Sequence, residues 1–184
     1  MRDLTRAQQR FLGLPGPRRP RSEAQAQPIE HVTFSLQARA FLIDQLYASG
    51  AYRGGPLFGF RSEGDLAVQF AAPAGYVCGD LDIRQQPLGL DERYVLGWSD
   101  CLEAVYPGKL DWVGQWLMYP DRQVTALEQD LTWLGLGLET DLFGEEHILL
   151  TVGWEQGRLS ARALGYNWQT REPWSFTHDL AGEE

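Results

Sequence analysis

The chain has 184 residues, a length that suits one domain with a substantial core. Hydrophobic residues make up 43% of it and aromatic residues 12%, a composition that excludes a wholly disordered protein. The net charge of −9 is unevenly distributed, because residues 1–22 carry six Arg against one Asp, or +5, which leaves −14 for residues 23–184. Such an acidic body is a poor surface for nucleic acid.

The sequence shows no membrane or secretion signal. No apolar run approaches the roughly 20 residues that a membrane helix needs, and the N-terminus lacks an apolar signal core. The two cysteines, Cys78 and Cys101, form neither a C-x-x-C motif nor a disulfide framework. They predict buried thiols in a reducing, cytoplasmic environment.

Residues 1–29 are rich in Arg, Gln and Pro, which predicts a disordered leader with a short helix near residues 4–12. The leader could instead bind nucleic acid through its Arg residues, an alternative that a salt-dependent binding assay would test. We expect a folded domain over residues 30–166 and a separate C-terminal segment over residues 167–184.

A helix is predicted to begin after Ser35, a residue that suits the N-cap, and to end at Gly50. At 100° per residue, Phe41 lies opposite the centre of the apolar face and is therefore either covered by the chain or exposed for a partner. That apolar face comprises Leu36, Ala40, Ile43, Leu46 and Tyr47.

Alternating and turn-bounded patterns predict the remaining elements. Thr125 and Glu128 form a capping-box pattern that opens a helix through about residue 134, with Gly135 at its end. Residues 71–110 form a predicted insertion with one helix at 90–98. Strands are predicted at 54–60, 66–70, 111–117, 146–152 and 158–166. This order predicts an α/β (α+β) fold with a mixed sheet flanked by helices.

No local motif assembles a catalytic centre. The histidines His31, His147 and His178 stand singly, whereas a zinc hydrolase needs three protein ligands and a carboxylate base. No G-x-S-x-G nucleophile motif and no phosphate-binding loop ending in Gly-Lys-Ser/Thr occurs. These patterns predict no cofactor and no metal.

Two segments of the predicted domain carry a specific pattern. Residues 114–120 read Gly-Gln-Trp-Leu-Met-Tyr-Pro and are followed by Asp130. This resembles the JAMM signature of the JAB/MPN family of zinc-dependent, deubiquitinase-like proteases, which is G-x-W-H-x-H-P with an Asp eleven residues after the second His. Upstream, residues 52–59 read Tyr-Arg-Gly-Gly-Pro-Leu-Phe-Gly and are similar to the segment E-x-G-G-x-L-x-G that carries the catalytic Glu. The resemblance implies a cytidine-deaminase-like fold over residues 30–166.

The departures from the signature determine the expected chemistry. Tyr52 occupies the position of the catalytic Glu, Leu117 and Tyr119 those of the ligand histidines, and Leu127 that of the motif serine. Asp130 alone remains, and one carboxylate does not hold a catalytic zinc ion against water. We therefore expect a pseudoenzyme whose bulky replacement side chains fill the vacated pocket beside Asp130.

The resemblance also implies partners. Metal-free MPN proteins are typically structural subunits that pair with a catalytic MPN protein, and related bacterial domains occur beside ubiquitin-like systems. We therefore expect a protein-interaction scaffold that binds a protein partner, a ubiquitin-like protein or a second copy. Its candidate contact residues are Phe41, Trp168 and Trp174. The alternative from a different class is a metal-dependent, isopeptidase-like hydrolase with a site rebuilt from Asp130, His147 and the Glu145–Glu146 pair.

Overall fold

The computed structural model describes residues 4–14, 29–48, 51–75, 88–124, 126–144, 146–167 and 170–180. Within these ranges the chain forms four helices and seven strands. In chain order they are α1 (Arg6–Leu12), β1 (His31–Phe34), α2 (Leu36–Leu46), β2 (Arg53–Ser62), β3 (Asp65–Ala71), α3 (Glu92–Val105), β4 (Asp111–Met118), α4 (Leu127–Glu139), β5 (Ile148–Glu155), β6 (Arg158–Asn167) and β7 (Glu172–His178). No helix among the described residues is long and apolar enough to cross a membrane.

The seven strands form one closed barrel in the order β1-β3-β2-β4-β5-β6-β7, with β7 pairing back onto β1. The strands β1/β3, β1/β7 and β4/β5 pair in parallel, and the other neighbours pair antiparallel. The mixed α/β class and the mixed sheet are confirmed. The closure of the sheet was not part of the prediction.

Hairpins join β2 to β3 and β5 to β6, and their turns use residues with positive φ. Glu63 and Gly64, at 49° and 90°, connect β2 to β3, and Gln156 and Gly157, at 53° and 80°, connect β5 to β6. Two consecutive positive φ values match the right-handed twist of paired strands. The register of both hairpins is therefore set locally.

Two hydrophobic cores lie on opposite faces of the barrel wall. The first takes inward side chains from all seven strands, together with α2. The second lies outside β2, β4, β5 and β6, beneath α1, α3 and α4. Because strand side chains alternate between faces, Trp116 and Met118 enter the first core, whereas Leu117 and Tyr119 enter the second.

Helix α2 packs against β1 and β3, and most of its predicted apolar face is exposed. Ser35 caps it as expected, accepting the N–H of Ala38. The buried side chains are Ala38, Leu42 and Leu46, whereas Leu36 is 83% exposed and Tyr47 is 75% exposed. Of the predicted apolar face, Leu46 is buried as expected, whereas Leu36, Ala40 and Tyr47 are exposed, and for these residues the prediction is wrong. The side of α2 with the most apolar residues is its outer side. Gly50 lies outside the described residues.

Phe41 lies on the buried side of α2. Its ring packs edge-on against Trp116 with the centroids 5.8 Å apart, and it borders the first core. Phe41 is therefore partly covered, by β4 rather than by the leader or the C-terminal segment. Its role as an interface residue stays a prediction.

The leader is not wholly disordered, because residues 4–12 pack against the body. Thr5 caps α1 in a capping box, and its hydroxyl also accepts a hydrogen bond of 2.9 Å from Ser99 on α3. Arg10 donates to the carbonyl oxygens of Thr140 and Asp141 beyond α4, and Ala7 is fully buried. The predicted short helix is confirmed, and the mobile leader is wrong for these residues. Residues 15–28 lie outside the described ranges.

The C-terminal segment is a part of the barrel rather than a separate unit. Strand β7 pairs with β6 from Ala163↔Phe176 to Asn167↔Glu172, so the expected boundary at residue 167 falls inside the sheet. The sequence missed β7 because exposed residues interrupt its apolar alternation.

Three smaller expectations need correction. Helix α4 begins after Ala126, which makes no side-chain cap, and continues past Gly135 to Glu139. Helix α3 runs further than the predicted 90–98. Cys101 is exposed rather than buried, because it lies on the outer side of α3. Thr125 and Cys78 lie outside the described residues.

Candidate functional site

The structure brings together three of the five signature positions. Tyr52 precedes β2 and Tyr119 follows β4, and these adjacent strands pair Arg53 with Met118. The two tyrosine rings consequently lie with their centroids 5.8 Å apart. The hydroxyl of Tyr119 donates a hydrogen bond of 2.6 Å to Asp130 Oδ1, in the first turn of α4.

Asp130 is fully buried, and its second oxygen forms an ion pair with Arg162 of β6. A buried carboxylate requires both a counter-charge and hydrogen-bond donors, and here the guanidinium and the phenol supply them. Arg162 thus supplies the counter-charge of this buried carboxylate. The sequence analysis missed Arg162, because nothing in its local sequence marks it as the partner of Asp130.

The remaining signature positions are apolar, and they differ in exposure. Leu117 is fully buried in the second core, on the same face of β4 as Tyr119. Leu127 is 44% exposed at the start of α4 and does not join the buried cluster. Trp133, another residue that the sequence analysis did not single out, packs edge-on against Tyr52 with the centroids 6.1 Å apart. Tyr52 is therefore held by aromatic packing on two sides.

Arg122 fixes the loops that carry the two tyrosines. Its guanidinium donates to the carbonyl oxygens of Ala48, Ala51 and Tyr119 at 2.6–2.9 Å. Burial lowers the pKa of Arg122 from its usual value, and the charge of Arg53 adds to this shift while Asp121 opposes it. This structural arginine also escaped the sequence analysis.

Two buried polar side chains lie on the same face of the sheet as Leu117, the face that borders the second core. Gln115 precedes Leu117 by two residues on β4, and Thr151 lies beside Leu117 in the parallel pairing with β5. Neither the amide of Gln115 nor the hydroxyl of Thr151 has a hydrogen-bond partner among the described residues. Since such groups cost free energy when buried, this side of the second core is not optimised for packing alone.

His147 lies away from Asp130. It directly precedes β5 and lies four residues before Thr151. Thr151 pairs across the sheet with Arg162, which is the ion-pair partner of Asp130. Four residues along a strand span about 13 Å. Its Nδ1 accepts the N–H of Gly144, and its ring packs edge-on against Trp112. Among the described residues no group of three or more His, Cys, Asp or Glu is placed to hold a metal ion; Glu145 is outside them.

The frame glycines of the two motif segments have a packing role in the barrel. A Cβ on Gly55 would lie 2.0 Å from the carbonyl oxygen of Ala72. Gly114 has a φ of 150°, and a Cβ there would lie 2.1 Å from the carbonyl oxygen of Ile148. These positions therefore accept only glycine, whatever chemistry the neighbouring positions carry.

The candidate contact residues separate into three cases. Phe41 is half-buried and packs against the first core, as described above. Trp174 is 55% exposed on β7, on the same face of that strand as Phe176, and remains a candidate. Trp168 lies outside the described residues.

Comparisons with known proteins extend to the fold alone. No protein-family profile matches the chain, and no curated protein is similar enough to indicate common descent. Among solved structures, the chain is similar to the solution structure of protein DSY2949 from Desulfitobacterium hafniense, with 14% sequence identity and a TM-score of 0.51. The similarity covers 83% of this chain and 94% of that one. At this identity the two proteins share a fold, and nothing further follows.

Proposed function

We propose that this protein is a JAB/MPN-like domain without catalytic metal that acts as a protein-interaction scaffold or recognition subunit. The observation that carries the proposal is the state of Asp130. Its two oxygens are bonded to Tyr119 and Arg162, and it is fully buried. A carboxylate with these partners is a structural ion rather than a free metal ligand.

The neighbouring positions support the same interpretation. Activation of a metal-bound water needs a general base beside the metal, whereas Tyr52 packs against Tyr119 and Trp133. Leucine at position 117 offers no ligand atom. The chemistry of hydrolysis has therefore been replaced by packing at each buried signature position.

The outer face of α2 supports a binding role. Leu36, Ala40, Ile43 and Tyr47 follow one another at helical spacing, and three of the four are exposed. An apolar stripe of this kind on an exposed helix is a typical contact surface for another protein. The partner class that the resemblance suggests is a catalytic MPN subunit or a ubiquitin-like protein.

Elemental analysis of protein prepared without chelator tests the loss of the metal site. We expect no stoichiometric zinc. The restoring variant Tyr52→Glu/Leu117→His/Tyr119→His should also bind zinc poorly, because Arg162 remains beside Asp130. Adding Arg162→Ala should increase the zinc affinity of that variant. One zinc ion per unmodified chain that is lost in Asp130→Ala would contradict the proposal.

Partner binding tests the scaffold role. Isothermal titration with a catalytic MPN protein and with a ubiquitin-like protein should show binding that Leu36→Glu weakens at least tenfold, since burying an unpaired carboxylate in an apolar contact is costly. Val105→Glu on α3 is the matched control, because Val105 is also apolar and exposed, but on a different helix. An equal effect of both substitutions would remove α2 as the contact surface.

A further inference from the structure

The outer side of α2 carries an apolar stripe whose spacing is symmetric about the middle of the helix. Its members, Leu36, Ala40, Ile43 and Tyr47, follow one another at intervals of four, three and four residues. These intervals place them on one side of the helix. Leu36, Ala40 and Tyr47 are exposed, and Ile43 is half-buried. Because the spacing is the same in both directions, a second α2 that runs the opposite way meets it in register.

Two exposed polar residues, Gln37 and Asp44, accompany the stripe on one flank. Each follows directly after a stripe residue, and they lie about 80° around the helix axis from the middle of the stripe. The other flank is turned toward the barrel. There Leu46 is buried, and Arg39 donates a hydrogen bond of 2.6 Å to the carbonyl oxygen of Asp179. The exposed surface of α2 thus consists of the stripe and this one polar flank.

Contacts at both ends of α2 hold this surface in place. At the start of the helix, the hydroxyl of Ser35 donates a hydrogen bond of 2.6 Å to the carbonyl oxygen of Gln69. At its end, the ring of Tyr47 packs edge-on against Trp154 with the centroids 6.3 Å apart, although most of the tyrosine is exposed. An aromatic side chain with a restricted orientation loses little conformational entropy on binding. The surface is therefore formed before a partner binds.

We propose that α2 binds α2 of a second copy of this chain as an antiparallel pair, with a twofold axis at the middle of the stripe. The inference rests on the scaffold role proposed above, because it assigns a partner to the same surface. In this pair Leu36 of one copy lies opposite Tyr47 of the other, and the small Ala40 lies opposite the larger Ile43. Each pairing occurs twice, as a twofold contact requires. Intervals of three and four residues are also those of helices that pack side by side.

The residues of the surface favour the antiparallel direction over the parallel one. In an antiparallel pair the same flanks of the two helices adjoin, so the amide of Gln37 in one copy lies beside the carboxylate of Asp44 in the other and can donate to it. A parallel pair brings each residue level with its own counterpart. The two small Ala40 side chains then meet, and the larger side chains do not fill the space between the helices. The antiparallel pair is the better packed of the two.

The contact spans about three turns of helix, which is smaller than a standard protein interface. We therefore expect a weak dimer that dissociates on dilution. Sedimentation velocity of the full chain between about 1 and 500 µM should show monomer at the low end and dimer at the high end.

Charge substitutions in the stripe test whether α2 forms this contact. Leu36→Glu should weaken dimerisation about tenfold or more, because the pair would bury two unpaired carboxylates. Val105→Glu on α3 is the matched control, since Val105 is also apolar and exposed, and it should leave the dimer unchanged. Circular dichroism of each variant checks that the fold is retained.

Charge substitutions on the polar flank test the antiparallel direction. Gln37→Lys should strengthen the dimer about fivefold, because each copy gains an exposed ion pair with Asp44 of the other. Gln37→Glu should weaken it, because like charges then adjoin. Gln129→Lys adds the same charge to an exposed position of α4 and serves as the control for the change in net charge. The effects at Gln37 should diminish at high salt.

A protein that stays monomeric over the whole concentration range would overturn the inference. Equal effects of Leu36→Glu and Val105→Glu, or of Gln37→Lys and Gln129→Lys, would overturn it as well. The scaffold role is tested separately by the titrations with a catalytic MPN protein and a ubiquitin-like protein. Binding in those titrations without a dimer removes the α2 pairing alone, whereas a dimer without such binding removes those partners and supports the pairing.

Discussion

Asp130 and Arg162 form an ion pair whose two members differ in their contact with solvent. Asp130 is fully buried, whereas the side chain of Arg162 retains 24% of its exposure. The pair therefore resembles a buried carboxylate that is neutralised from the surface. The desolvation cost falls mostly on Asp130, and its removal from water is tolerable only while the guanidinium and the Tyr119 hydroxyl remain in place.

Replacing Arg162 with Met should lower the free energy of unfolding by about 3 kcal/mol, the lower end of the range for breaking a buried pair. The reason is that Asp130 keeps its burial and loses its counter-charge. Urea denaturation monitored by tryptophan fluorescence gives the measurement. Tyr119→Phe removes a single donor and should cost about 1 kcal/mol.

The double variant Asp130→Leu/Arg162→Met serves as the control for this interpretation. It should be more stable than Arg162→Met alone, because no charge remains buried without a partner. If Arg162→Met unfolds at the same urea concentration as the unmodified protein, the ion pair contributes nothing and Asp130 must be stabilised by other means.

At the scale of elements, the packing of individual side chains decides which face of α2 is buried, and the number of apolar residues on a face does not. The side that carries Leu36 and Tyr47 faces outward, while Ala38 and Leu42 face the barrel. Phe41 compensates for the small inner residue Ala38, since its ring contacts Trp116. The helix is therefore held by a few well-packed side chains rather than by its most apolar side.

This arrangement gives a direct prediction for α2. Phe41→Ala should destabilise the protein by about 3 kcal/mol, because it leaves a cavity beside Trp116. Leu36→Ala should change the stability by less than about 0.5 kcal/mol, as for most exposed sites. Thermal and urea unfolding of the two variants provide the comparison. Equal effects would mean that both sides of α2 are buried in solution.

Helix α1 is a second element whose role departs from the expectation. Deleting residues 1–14 should lower the free energy of unfolding by about 3 kcal/mol, counting three hydrogen-bonded anchors at about 1 kcal/mol each. These anchors are Thr5 to Ser99, Arg6 N–H to Asp111 and Arg10 to the carbonyl oxygens beyond α4.

Urea unfolding of the truncated chain measures this effect. The single substitution Arg10→Ala removes one of the three anchors and should lower the free energy of unfolding by about 1 kcal/mol. A truncated chain of unchanged stability would show that α1 is loosely held and that the leader is mobile after all.

Local signals explain which elements the sequence predicts. The turn residues Gly64 and Gly157 mark both hairpins, and Ser35 marks the start of α2, because each acts on its immediate neighbours. Arg162 and β7 could not be found in this way. The ion pair joins residues 32 positions apart, and β7 gains its partners only when the barrel closes. The Tyr52–Tyr119 contact was predictable only through the resemblance, which supplied a long-range pairing.

At the scale of the whole molecule, the barrel closes through its shortest pairing. Strands β1 and β7 pair at two positions, His31↔Thr177 and Val32↔His178. Asp179 reinforces this seam: its carboxylate accepts the N–H of Phe34 at 2.9 Å, and its carbonyl oxygen accepts a hydrogen bond from Arg39 at 2.6 Å. One residue thus connects the last strand to both β1 and α2.

We expect Asp179→Ala to open this seam without unfolding the rest of the barrel. Hydrogen exchange measured by mass spectrometry should become faster in peptides that contain β1 and β7, whereas β4 and β5 should keep their protection. Glu172→Ala, also on β7 but away from β1, is the control and should leave exchange in β1 unchanged. Uniformly faster exchange across all strands would show that the seam and the barrel unfold together.

The seam also has a consequence for how the chain reaches its native state. The β5–β6 hairpin needs only a two-residue loop, whereas the β1–β7 pairing joins positions 146 residues apart. Loop-closure entropy and contact order both delay such a pairing relative to local ones. On a ribosome, β1 can join β3 early, but the barrel cannot close before residue 178 has been synthesised. Until then the inward side chains of β1 and β6 lack the strand that completes their enclosure, and the nascent protein exposes its first core to chaperones and to other unfinished chains.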